Sequence, residues 1–164
     1  MGLSSMSSQP PPIPLDYSVI PFELVEEHWN EYSFSDGTII LFRTIVIRIA
    51  RRKGSPAGQY DITTNNIATI MAPPTERGQP SPLMTPDEIQ SAEKFEVRPI
   101  TTEEHWNVYR LRTTDEMIKV KYVASNFYKV KGKFDQFGEP VYLVVGGPLV
   151  VPQPKSSKSG MASQ

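Results

Sequence analysis

The pentapeptide Glu26-Glu27-His28-Trp29-Asn30 returns unchanged as Glu103-Glu104-His105-Trp106-Asn107, seventy-seven positions later. The two copies hold both histidines and both tryptophans of the chain. Imidazole beside carboxylate is the ligand chemistry of Zn²⁺ or Fe²⁺. Neighbouring residues point to different faces of a helix or a strand, so one copy cannot build such a site alone. Two copies meeting at a twofold axis could offer His28 and His105 with Glu27 and Glu104. The competing expectation is structural and is preferred, because duplication preserves an anchor as readily as a ligand. In it, Thr101 or Thr102 caps one helical turn, the glutamates sit at its N-terminus, and Trp29 and Trp106 are buried anchors closing their units. No cofactor is expected.

A second chemistry comes from charge placement. From Asp16 to Asp36 there are six acids and no Lys or Arg; from Gly37 to Lys53 there are five bases and no acid. Met117 to Lys133 again carries five bases and no acid. Arg43, Arg48, Arg51 and Arg52 in the first run, and Lys119, Lys121, Lys129 and Lys131 in the second, could neutralise the phosphates of a single strand. Tyr122, Phe127 and Tyr128, interleaved with the lysines, could stack on its bases. Against this stands a net charge of −1, so the lysines serve equally to solvate a sheet and pair with the acidic lead-in.

Catalysis finds little support. There is no serine elbow, P-loop or Gly-x-Gly-x-x-Gly pattern. Gly146-Gly147 is followed by Pro148, which has no N–H to offer a phosphate, and reads as a turn. The absence of cysteine removes thiolate nucleophiles, thiolate metal sites and disulfides, and makes a reducing, cytoplasmic setting the expectation.

The elements that must position these residues are mostly strands. Sixteen prolines and ten glycines in 164 residues argue against a helical fold, because an interior proline costs a helix about 3 kcal/mol. After each pentapeptide comes an aromatic residue (Tyr32, Tyr109) and a polar turn, Ser35-Asp36-Gly37 or Thr113-Thr114-Asp115. A long β-prone run follows. Thr38 to Arg51 is apolar on both alternate faces and should be covered on both sides. In Met117 to Lys131, Ile118, Val120, Tyr122 and Ala124 share one face against Lys119 and Lys121. Return strands begin at Tyr60 and Val141-Tyr142, with Asn65-Asn66 and Gly146-Gly147 as turns before short closing strands. Thr85, Pro86, Asp87 and Glu88 start a helix of about two turns ending near Phe95.

The expected fold is therefore mainly β. A small β-barrel-like or β-sandwich unit is internally duplicated and packed with pseudo-twofold symmetry, with one short helix in the linker. The divisions are a disordered Pro/Ser-rich segment at 1–16, copy one at 17–75, a Pro-rich linker at 76–98, copy two at 99–153, and a disordered tail at 154–164. In architecture alone the unit resembles the small Sm-like, SH3-like and OB-like barrels, a likeness that assigns no residue a role. Met1–Pro14 has neither a basic n-region nor an apolar h-region, so it does not read as a secretory leader. No run approaches the roughly 20 apolar residues of a membrane span, and no membrane partner is expected. The functional expectation is a non-catalytic, oligomeric interaction or assembly protein that binds a protein partner or itself through the duplicated units. The alternatives are single-stranded nucleic-acid binding by the basic hairpins and metal binding by the repeated pentapeptide.

Overall fold

The computed structural model describes residues 16–153, so the Pro/Ser-rich start and the tail beyond Gln153 lie outside the described residues. Among the described residues, ten strands form two five-stranded sheets whose pairings are all antiparallel. The spine of the first sheet is β4 (Ile39–Arg52), with β5 (Asp61–Met71) along one edge. Its other edge is shared by β3 (Asn30–Ser33) and β1 (Tyr17–Val19), and β7 (Thr101–Glu103) adds to β3. The spine of the second sheet is β9 (Met117–Phe134), with β10 (Pro140–Gln153) along one edge. Its other edge carries β8 (Asn107–Leu111) and β6 (Lys94–Val97), and β2 (Phe22–Glu26) adds to β8.

The sheets face one another across two apolar clusters, and each cluster draws on both. Tyr32, Phe34, Ile40 and Phe42 of the first sheet meet Tyr122 and Phe127 of the second. Val46 and Ile49 of the first meet Tyr109, Leu111, Ile118 and Val120 of the second. Alternation along the spines produces this packing. Ile40, Phe42, Thr44 and Val46 point inward on β4, and Ile118, Val120 and Tyr122 on β9, as the sequence pattern of the second run requires. The fold is mainly β, and neither sheet closes into a barrel, which removes the barrel form of the expected unit.

Three local expectations are corrected. Among the described residues no layer covers the outward face of β4: Ile39, Leu41 and Ile45 are only partly buried and Ile47 is 57% exposed, so the two-sided apolar pattern does not mark a strand buried on both faces. Asn65-Asn66 and Gly146-Gly147 lie inside β5 and β10 and turn nothing. Gly146 sits at a register irregularity, where a β-carbon would run into the Val123 carbonyl and Ala124. The glycine is there for close backbone approach, which sequence cannot distinguish from a turn. The helix α1 (Pro86–Ser91) has the expected Thr85–Glu88 capping box, but it ends at Ser91, and Lys94–Val97 becomes β6 instead.

Candidate functional site at the two sheet crossovers

Each pentapeptide is the place where the chain changes sheets. The first leaves β2 in the second sheet and enters β3 in the first; the other leaves β7 in the first and enters β8 in the second. The histidines face each other at these crossings, with ring centroids 5.5 Å apart and planes inclined by 50°. His28 Nε2 is 2.7 Å from Glu26 Oε2, and His105 Nε2 is 4.0 Å from Glu103 Oε2.

Beneath the imidazoles, the asparagines that end the pentapeptides bind across. Asn30 Oδ1 accepts the His105 backbone N–H at 3.0 Å, and Asn107 Oδ1 accepts that of His28 at 2.8 Å. The amide nitrogens donate onward into the spine strands, Asn30 Nδ2 to the Tyr122 carbonyl at 3.1 Å and Asn107 Nδ2 to the Thr44 carbonyl at 3.3 Å. Both asparagines are buried, and these bonds satisfy backbone groups that β-pairing leaves free at the crossings.

The second glutamate of each pentapeptide is held by the tyrosine that follows the other pentapeptide. Tyr109 donates its hydroxyl proton to Glu27 Oε2 at 2.9 Å, and Tyr32 donates to Glu104 Oε2 at 2.8 Å. Arg43 also pairs with Glu27, at 2.8 Å, and the Ala124 N–H donates to Glu104 at 2.8 Å. Burial, and after it the neighbouring carboxylate, pushes both tyrosine hydroxyls well above the usual phenol range.

This geometry divides the metal set. His28 and His105 come together, but Glu27 and Glu104 are turned into the protein and committed to tyrosine, arginine and backbone donors. Among the described residues, no group of three or more His, Asp or Glu side chains is arranged to hold a metal ion.

The tryptophans also depart from expectation. Trp29 is 36% exposed and Trp106 is half-buried, so neither is the buried plug of its unit. The Arg43 guanidinium lies 5.3 Å from the centre of the Trp29 ring. Lys119 and Lys121 lie 5.1 and 4.9 Å from that of Trp106. The wholly buried aromatics are Tyr32 and Tyr109, two residues beyond each asparagine. The recurrence of Tyr at that spacing was the one signal that could have marked them as anchors.

The basic set is dispersed as well. Tyr122 and Phe127 belong to the core and cannot stack on a base; Tyr128 is half-buried. Lys129 is mostly covered, with Nζ 2.6 Å from Glu76 and 3.7 Å from Asp36. Burial alone would lower its pKa, but the Glu76 hydrogen bond and the charges around it hold it above the usual lysine value. Lys131 lies 3.3 Å from Glu93, Arg52 3.8 Å from Asp16, and Arg51 donates to the Ser55 carbonyl. Arg48 is exposed on the bulged part of β4. Lys119 and Lys121 remain together on one surface, beside Trp106.

No protein-family model matches the chain, and neither a curated protein nor a solved structure matches it.

Proposed function

We propose that the chain is a non-catalytic, oligomeric assembly protein. Its two repeated β units are interlocked as a pseudo-twofold pair, and the outer face of its first sheet binds a protein partner or another copy. The interlock is supported by the reciprocal asparagine–histidine and tyrosine–glutamate bonds, and by the exchange of β2 and β7 between sheets. Partner binding rests on the outer face of the β4–β5 hairpin. Ile39, Leu41, Ile45 and Ile47 project there from β4, and Ile67 and Met71 from β5. Arg43 is the only charged residue between Ile39 and Ile47, and none lies between Asn65 and Met71. These apolar residues gather on one face, with Arg43, Asn65 and Thr69 among them, and such a gathering marks an interaction site where exposed apolar residues scattered singly would not.

Sedimentation equilibrium tests the reading. The average mass should rise above 18.4 kDa between micromolar and millimolar concentration, and Ile47→Lys should restore the single-chain mass. A single-chain mass throughout would contradict it.

A second reading, single-stranded nucleic-acid binding, is favoured by one observation, the two ammonium groups flanking the Trp106 ring. Binding of a labelled oligonucleotide should fall steeply with salt and be lost in the Lys119→Glu/Lys121→Glu variant. No binding at low salt would end this reading.

A further inference from the structure

Two long strands leave one edge open among the described residues, β5 and β10, and they are not alike. β10 contains Pro140, Pro148 and Pro152, the Gly146-Gly147 pair and two register irregularities. Proline and bulges are the devices that keep a sheet edge from pairing with another chain. From Ile62 to Met71, β5 has no proline, no glycine and no charged residue.

The direction of its free backbone groups follows from two observations. The Thr44 carbonyl accepts from Asn107 on the far side of β4, so the Thr44–Asn66 pair is not hydrogen-bonded within the hairpin. The Asn66 N–H accordingly meets the side chain of its own neighbour, Asn65 Oδ1, at 3.0 Å and not β4. Strand alternation then points the N–H and C=O of Thr64, Asn66, Ala68 and Ile70 toward the open edge.

We infer that β5 pairs antiparallel with β5 of a second copy of this chain, with the twofold axis passing through Ile67. The inference rests on the assembly reading and names its partner and its edge. An antiparallel edge is self-complementary under a twofold axis, and an edge without charge does not repel its own copy. The axis position is constrained. Outward-pointing amides sit on even-numbered residues, so hydrogen-bonded pairs must join even to even, which places the axis on a residue and not between two. Placing it on Ile67 overlaps the strand from Thr63 to Met71 and sets Asn66 against Ala68 as a hydrogen-bonded pair. It also brings the two Ile67 side chains, each 43% exposed, against each other. An axis on Asn66 or Ala68 would instead set Ile67 against a polar residue. The two first sheets become one continuous sheet, and their apolar outer faces join.

The chain has no cysteine, so Ile67→Cys gives a direct readout. A non-hydrogen-bonded antiparallel pair holds its Cα atoms about 4.5 Å apart, and a disulfide accepts about 4.4–6.8 Å. Mild oxidation of full-length Ile67→Cys should give a covalent dimer at a concentration where Val151→Cys, on β10, does not. Ala68→Pro removes an outward N–H and leaves the hairpin bonds to β4 intact. Ile67→Lys opposes two like charges without touching the core. Each should weaken self-association at least tenfold by sedimentation, with thermal unfolding showing that both variants fold.

If the parent chain self-associates but Ile67→Cys fails to cross-link and Ile67→Lys keeps the parent mass, the β5 pairing is overturned and the assembly reading survives. Equal cross-linking of Val151→Cys overturns the pairing in the same way. A parent chain that stays single up to millimolar concentration overturns both.

Discussion

Asn30 and Asn107 each accept, through the side-chain oxygen, the backbone N–H of the histidine in the other pentapeptide, at 3.0 and 2.8 Å. Each is the middle link of a path running from one crossover to the spine strand of the opposite sheet. Removing either side chain strands a part-buried N–H and a buried C=O together. Asn30→Ala and Asn107→Ala should each destabilise the protein by about 2–3 kcal/mol, since an unsatisfied buried group costs about 1–3 kcal/mol. Urea unfolding would measure it. A loss below half a kcal/mol in either variant would show that water replaces the amide without cost.

Tyr32→Phe and Tyr109→Phe delete a hydroxyl that donates to a carboxylate. A hydrogen bond to a charged group contributes about 1.5–3 kcal/mol, and each variant should lose that much. Because the two tyrosines bond different glutamates, the double variant should be near the sum, with the coupling measured by a double-mutant cycle.

Alkaline stability follows from the same pair. Both hydroxyls are raised in the fold, by burial first and by the glutamates after it, while in the unfolded chain they titrate near the ordinary phenol value of about 10. Tyr60 is raised as well, to about 12, by burial and then Glu116. Their contribution is complete below pH about 10 and is lost as pH rises toward the folded values, because the unfolded state then gives up protons that the native state keeps. Urea midpoints should be level from pH 8 to 9 and fall beyond 10. The fall should be smaller in the Tyr32→Phe/Tyr109→Phe variant, measured against its own midpoint at pH 8.

Gly146→Val should disrupt the β9–β10 hairpin, since its β-carbon would occupy the space of the Val123 carbonyl and Ala124. Overpacking of this kind costs about 1–3 kcal/mol, and a bulky β-branched residue belongs at the upper end. Gly147→Val meets nothing within 4 Å and serves as the control. Equal stability of the two variants would contradict the close approach.

How far sequence could see is clearest from particular residues. The inward face of β9, the Thr85–Glu88 cap and the two polar turns were legible because each is a local pattern with a local cause. Gly37 and Asp115 both adopt a left-handed backbone, at φ 92° and 65°, as those turns require. The repeated pentapeptide was legible as a repeat but not as a crossover. Strand exchange depends on which neighbour β2 and β7 choose, a long-range matter that leaves no period in the chain. Trp29 and Trp106 were misplaced for a related reason: a large aromatic in a repeat suits burial, yet a cation on its open face stabilises it at the surface equally well. The uncovered face of β4 looks, residue by residue, like a strand buried on both sides. Only the absence of a covering layer among the described residues reveals it as a surface.

Native-state hydrogen exchange of Asn30→Ala decides whether the exchanged strands and reciprocal bonds make the two sheets one folding unit. Asn30 belongs to β3 of the first sheet but donates to Tyr122 of the second. Protected amides on both spines, at Phe42 in β4 and at Val120 in β9, should lose protection by the same free energy, because both open in one global unfolding. Loss of protection at Phe42 while Val120 keeps the parent value would contradict it, and would show that the sheets unfold independently.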